Sequence, residues 1–184
     1  MEEAEEAEGP KGPKGPKRAD AQRNRARILD AAEGVFAEFG PGGSTEEVAR
    51  RAGVAIGTVF RHFPTKDALF TAILKRLLAR LLEEAGELGG PDGLFRFMTS
   101  VVTQASAKRA HLIDLQLPGA VGQLRDAVGS LLAQAQDAGT VSRDVELGEV
   151  MALLVSLCQG AVVGGWEERL SRRTLAVVFA GLSA

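Results

Sequence analysis

From Asp20 almost to the C-terminus, apolar residues recur at intervals of three and four, and no segment alternates for long with the period of two that a half-buried strand requires. That periodicity restricts the chain to an all-α fold. Ile28, Ala32, Val35, Phe36 and Phe39 line one helix, with Gly40 as its C-terminal stop. Ser44 and Glu47 precede Val48, Ala49 and Ala52. Their spacing is that of a capping box, in which Ser accepts from the Glu amide and Glu reaches back. Gly53 ends this short second helix. Thr65 caps a longer helix over 66–88, and GGPDG (89–93) breaks it. Further helices are expected over 94–108, 119–138, 144–164 and 171–182, with the apolar segment HLIDLQLPG (111–119) between the first two of these.

One stretch resists this reading. VAIGTVFRHFPTKD (54–67) is rich in β-branched and aromatic residues, which favours a strand. Yet Thr58, Arg61, His62 and Lys66 are spaced by threes and fours, as on one face of a helix. A third helix over about 55–62, with Val59 and Phe63 turned inward, satisfies both observations. Two short helices around a tight turn at Gly53 make a helix-turn-helix, whose second helix enters the DNA major groove. Val48, Ala49, Val54 and Val59 hold the pair together, leaving Ile56, Gly57, Thr58 and Arg61 outward, with His62 and Lys66 beside them. Arg61 carries the donor fork that reads guanine O6 and N7, and Thr58 offers a hydroxyl to phosphate and a methyl to thymine. Lys66 and the amides opening the next helix form a phosphate site. Aromatic residues at helical spacing usually pack, which places Phe60 and Phe63 in the core. Arg50 and Arg51 are expected to be solvated or to face phosphate.

Charge is distributed unevenly. The 184 residues carry a net −2, but residues 17–82 hold 12 bases against 7 acids, giving +5, and residues 83–184 hold 8 against 12, giving −4. A basic module on an acidic body suggests an anionic partner for the first half only. Residues 1–18, MEEAEEAEGPKGPKGPKR, have almost nothing to bury and read as a disordered, extended arm. Its basic end, Lys11 to Arg18, can track phosphates or enter a minor groove, or can simply be a solvated tail. A single cysteine, Cys158, leaves no disulfide within the chain and no thiolate metal cluster. No P-loop, dinucleotide fingerprint or metal-ligand spacing occurs, and His62 and His111 are the only histidines, so neither catalysis nor a cofactor is expected. No apolar run is long enough for a membrane span and no signal peptide is evident, so a cytoplasmic location is expected.

The run STEEVARRAGVAIGTVFRHFPTKDALF, preceded by RARILDAAEGVFAEFG, resembles the DNA-binding signature of the TetR family of bacterial transcriptional regulators. VARRAGV, IGTVFRHF and TKDALF occur in that family's order and spacing, and the resemblance spans about residues 20–74. It implies an N-terminal three-helix head (19–65) joined to a helical ligand-binding and dimerisation body (66–184). A homodimer would then repress from a palindromic double-stranded operator, and a small-molecule effector would release it. By position, the resemblance gives Ser44 and Thr45 to phosphate, Ile56, Gly57, Thr58 and Arg61 to the bases, and Phe60, His62 and Lys66 to the DNA backbone. Three positions depart from the pattern. Phe60 stands where the family usually has Tyr, Ala55 where it has Ser, and Thr45 where an apolar residue is commoner.

Helix 144–164 is apolar on nearly every side and must be covered on every side. The resemblance implies a four-helix dimer interface from the last two helices, drawing on Leu154, Leu157, Ala161, Leu175, Val178, Phe179 and Leu182. Gly160, Gly164 and Gly165 would let the helices approach. A pocket for an apolar or amphipathic effector is expected at Phe95, Met98, Val102, Leu115, Leu117, Met151 and Cys158, with Asp114 or Gln116 as polar anchor. The alternative function is DNA binding without ligand sensing, architectural or constitutive.

Overall fold

The computed structural model describes residues 16–108 and 120–184. Residues 1–15 of the expected arm lie outside that range. So do residues 109–119, which include Asp114, Leu115, Gln116 and Leu117. Among the described residues there are eight α-helices and no strand: α1 (Pro16–Phe39), α2 (Thr45–Ala52), α3 (Ile56–His62), α4 (Lys66–Glu87), α5 (Gly93–Lys108), α6 (Ala120–Asp137), α7 (Leu147–Val163) and α8 (Glu168–Leu182). A single 3₁₀ turn, Gly40–Gly42, follows α1. The all-α expectation holds.

Helix boundaries differ from the periodicity where caps decide them. α1 is described from Pro16, so residues 16–18, inside the stretch read as arm, are helical rather than extended. α7 begins at Leu147 rather than near 144. Glu146 caps it in a reciprocal box with Glu149, whose carboxylate accepts from the Glu146 amide at 2.8 Å. α8 begins at Glu168, three residues before the expected start.

Two hydrophobic cores form. The head core joins Ile28, Leu29, Ala32, Val35 and Phe36 of α1 to Val48, Ala49 and Ala52 of α2, with Val59, Phe63, Leu69 and Ile73. Phe36 and Phe70 add an edge-to-face contact at 5.8 Å. The body core gathers α5, α6 and α7 around the fully buried Phe97, Met98, Val102 and Val128, closed by Leu175 and Leu182 of α8. α4 is common to both, placing Leu69 and Ile73 in the head core and Leu77, Leu78, Leu81 and Ala85 in the body core. A boundary at 65/66 therefore does not separate the two cores; the division falls within α4. Across the α1–α4 seam, Arg76 pairs with Asp30 at 2.6 Å and Arg80 with Glu33 at 3.0 Å.

Candidate nucleic-acid interface

Ser44 opens α2 in extended conformation, and its hydroxyl accepts from the Glu47 amide at 3.1 Å. The same hydroxyl donates to Glu46 at 3.0 Å. Only half of the expected capping box forms, because the Glu47 carboxylate is engaged elsewhere. It takes two bonds from Arg50, at 2.6 and 2.7 Å, and one from Arg51 at 2.6 Å. Two charged donors outcompete one backbone amide. The Arg50 hydrogen bonds first, and those of Arg51 second, hold the Glu47 carboxyl down at about 2. Arg51 also reaches Glu38 of α1 at 2.7 Å and lies over the Phe39 ring. Both arginines are exposed, in keeping with the expectation that they are solvated, and both are also ion-paired within the head.

Gly53 is left-handed, at φ 63° and ψ 42°, which makes the turn between α2 and α3. A Cβ here would lie 2.7 Å from the Arg27 guanidinium. Ala55 then occupies the α3 N-cap without a side-chain bond, as expected from its missing hydroxyl. Along α3, Val59 and Phe63 are buried and Val54 packs against the same core. One exposed arc remains, made of Ile56, Gly57, Phe60 and Arg61, with Thr58 and His62 half-buried at its edge. The core placement of Phe60 is overturned: the residue is 43 % exposed. Helical phase explains the error, since Phe60 follows Val59 by one residue and so points about 100° away from it.

Gly57 has a different character from Gly53. A Cβ at Gly57 would meet nothing within 4 Å, and its φ is not positive. The fold does not require glycine there, and a glycine inside a helix costs roughly 0.5–1 kcal/mol relative to alanine. Thr65 caps α4 by accepting from the Ala68 amide at 3.0 Å, and the exposed Lys66 lies over the Phe36 ring. Ser44 is exposed and Thr45 half-buried at the start of α2.

The body residues fare differently. Leu154, Leu157, Ala161, Leu175 and Leu182, expected at a partner interface, are buried in the chain's own core. Val178 and Phe179 are half-buried, and Phe179 lies against Phe95 at 4.6 Å, so an expected interface residue contacts an expected pocket residue within one chain. Met98 and Val102 are fully buried in the body core, Cys158 is buried, and Met151 packs at its margin. Burial raises the Cys158 thiol to about 11. The indole of Trp166 lies against Gly160 and Gly164, at 2.7 and 2.6 Å from where a Cβ would stand, so both glycines make room for a side chain of the same chain. Sequence reasoning missed Trp166, although it is the chain's one tryptophan. Beside it, a depression of about 490 Å³ runs along α8, lined by Trp166, Glu167, Arg169, Leu170, Arg173 and Val177 among others. Val155 and Val163 of α7 and Leu170 and Val177 of α8 are exposed, Val163 at 87 % and Val177 at 74 %. No helix of the described residues is long and apolar enough to cross a membrane.

Two family descriptions match the chain. "Bacterial regulatory proteins, tetR family" covers residues 28–73, and "Transcriptional regulator SbtR-like, C-terminal domain" covers residues 91–184. Among curated proteins, the HTH-type transcriptional regulator UidR of Escherichia coli (strain K12) is 26% identical over 170 residues, covering 83% of this chain and 87% of that protein. The HTH-type transcriptional repressor Rv3405c of Mycobacterium tuberculosis (strain ATCC 25618 / H37Rv) is 33% identical over 147 residues, covering 77% and 70%. The crystal structure of the TetR transcription regulatory protein from Mycobacterium vanbaalenii superposes with a TM-score of 0.71 at 39% identity, covering 92% of this chain and all of that one.

Proposed function

The chain belongs to the TetR family and is a DNA-binding transcriptional regulator; from that premise we propose that it represses as a homodimer on a palindromic operator and is released by a small-molecule effector. The exposed arc of α3 carries this reading. Ile56, Gly57, Thr58 and Arg61 face the bases, and Gly57 supports that role because nothing inside the chain requires glycine there. Phe60, His62 and Lys66 grip the backbone, with Ser44 and Thr45 on phosphate at the start of α2. The exposed Phe60 ring is compatible with contact through packing alone.

The dimer forms through the outer faces of α7 and α8, where Val155, Val163, Leu170 and Val177 lie open. That is the opposite face of the same helices from the buried Leu154, Leu157 and Leu175. The effector is apolar or amphipathic and binds in the body between α5 and α7. The complete burial of Met98 and Val102 there favours a second reading, regulation without an effector.

Selection of bound duplexes from a random library tests the proposal. Recovery of a palindrome, with half-sites about one helical turn apart or a multiple of it, is expected. Enrichment of an asymmetric site, or of none, would sink it.

A further inference from the structure

The charge that marks the first half of the chain is concentrated in one place. Residues 16–27, PKRADAQRNRAR, carry five bases and one acid, a net +4 of the +5 counted over 17–82. The bases further on are largely answered within the fold. Arg50 and Arg51 are held by Glu47 and Glu38, and Arg76 and Arg80 by Asp30 and Glu33. Arg25 and Arg27 form no ion pair among the described residues, and both are exposed.

This stretch is also structurally unexplained. From Ala19 to Arg27 no residue of α1 is buried, and burial begins at Ile28. The helix thus runs about 14 Å, at 1.5 Å per residue, from Ala19 to Arg27 before its first buried residue. Its arginines reach both ends of α3. The Arg25 guanidinium lies over the Phe63 ring at 5.2 Å, at the C-cap of α3. The Arg27 guanidinium covers Gly53, in the turn before α3. Stacking on a ring occupies the face of a guanidinium and leaves its in-plane donors available.

We infer that the N-terminal overhang of α1 is a second DNA-contacting element, in which Arg25 and Arg27 bind the phosphodiester backbone on either side of the groove that α3 enters. The inference rests on the reading of the head as DNA-binding. The surface touches Gly53 and Phe63, the residues that flank α3 on its two sides, and is opposite in charge to phosphate. It contributes affinity and register and carries no base preference.

The test compares the full chain with an Arg25→Gln, Arg27→Gln variant on the selected operator and on an unrelated duplex, across a salt series. The variant is expected to lose about tenfold or more in affinity on both duplexes. Its slope of log K against log salt should be shallower by about 3.6, at roughly 0.9 for each of the four phosphate contacts that the two protomers would lose. Its selected sequence should stay unchanged, and Arg25→Lys, Arg27→Lys should restore most of the slope. Parent affinity and slope in the glutamine variant would assign the row to an anionic partner other than DNA and overturn the inference alone. Failure of the parent to bind any duplex would overturn the reading of the head and this inference with it. If loss of the Phe63 contact unfolds the glutamine variant, phosphate ethylation interference on the parent decides. Interference on phosphates outside those next to α2, α3 and the start of α4 is expected, and its confinement to those phosphates overturns the inference.

Discussion

Both the head and the body expose large apolar side chains, but in different electrostatic settings. In the head, Ile56 and Phe60 are flanked by Arg61 and His62. In the body, α7 presents Val155 and Val163 on a segment with no charged residue from Val150 to Trp166. Equal exposure therefore points to unlike partners. An apolar residue beside an arginine suits the methyl groups and edges of bases within a polyanion, whereas an apolar face on an uncharged helix suits a second apolar face.

The comparison depends first on the two cores being sound without their partners. Phe97 is fully buried in the body core. Phe97→Ala should lower stability by about 3–5 kcal/mol in urea unfolding followed by circular dichroism. A loss under about 1 kcal/mol would mean that the body is loosely packed and that its exposed valines are no special feature. The next test acts on the partner face. Val163→Asp with Val177→Asp should convert the dimer to monomer in sedimentation, at about 2 kcal/mol or more of association energy per central residue. The monomer should retain helical content and bind the palindrome weakly. A persisting dimer would place the interface elsewhere and remove the contrast with the head.

A smaller effect separates Gly53 from Gly57. Gly53→Ala forces a Cβ into a left-handed conformation and against Arg27, and should cost about 1–2 kcal/mol of stability. Gly57→Ala should leave stability unchanged or slightly improved while weakening operator binding. If both substitutions act on stability alone, Gly57 is not part of the reading face.

The same contrast explains what the sequence could disclose. The α2–turn–α3 unit was legible because its determinants are local: a Ser44 cap, a left-handed Gly53, and Val59 and Phe63 in one helical phase. The propensity of residues 54–67 for strand lost to packing, since Val54, Val59 and Phe63 serve the head core while Ile56 and Phe60 stay exposed. On α7 the signal was absent. A helix apolar on every side has no phase, so periodicity could not tell Leu154, which faces the chain's own core, from Val155, which does not. The partners of Glu47 were equally hidden. A capping-box spacing and an ion-pair spacing coexist in Ser44-Thr45-Glu46-Glu47-Val48-Ala49-Arg50-Arg51, and only geometry reveals which one takes the carboxylate. The α7 cap, in contrast, was a signal present and overlooked, because Glu146 is an uncommon N-cap residue.

The smallest effect concerns that carboxylate. Glu47 lies well below its ordinary value of 4.5, at about 2, through the hydrogen bonds of Arg50 and then Arg51. A carboxyl depressed by folding stabilises the folded state at every pH above its unfolded value. That contribution fades as pH falls from about 4.5 towards 2, where the folded form also takes up the proton. The parent should therefore exceed Glu47→Gln in stability by a constant margin above about pH 5, and the margin should shrink below it. Because Arg50 is exposed and the pair is screened, the margin should also narrow with added salt. A margin independent of pH would mean that Glu47 acts through helix packing rather than charge. In that case Arg50 and Arg51 would be available to DNA after all, and the assignment of the head's unneutralised charge to α1 would weaken with it.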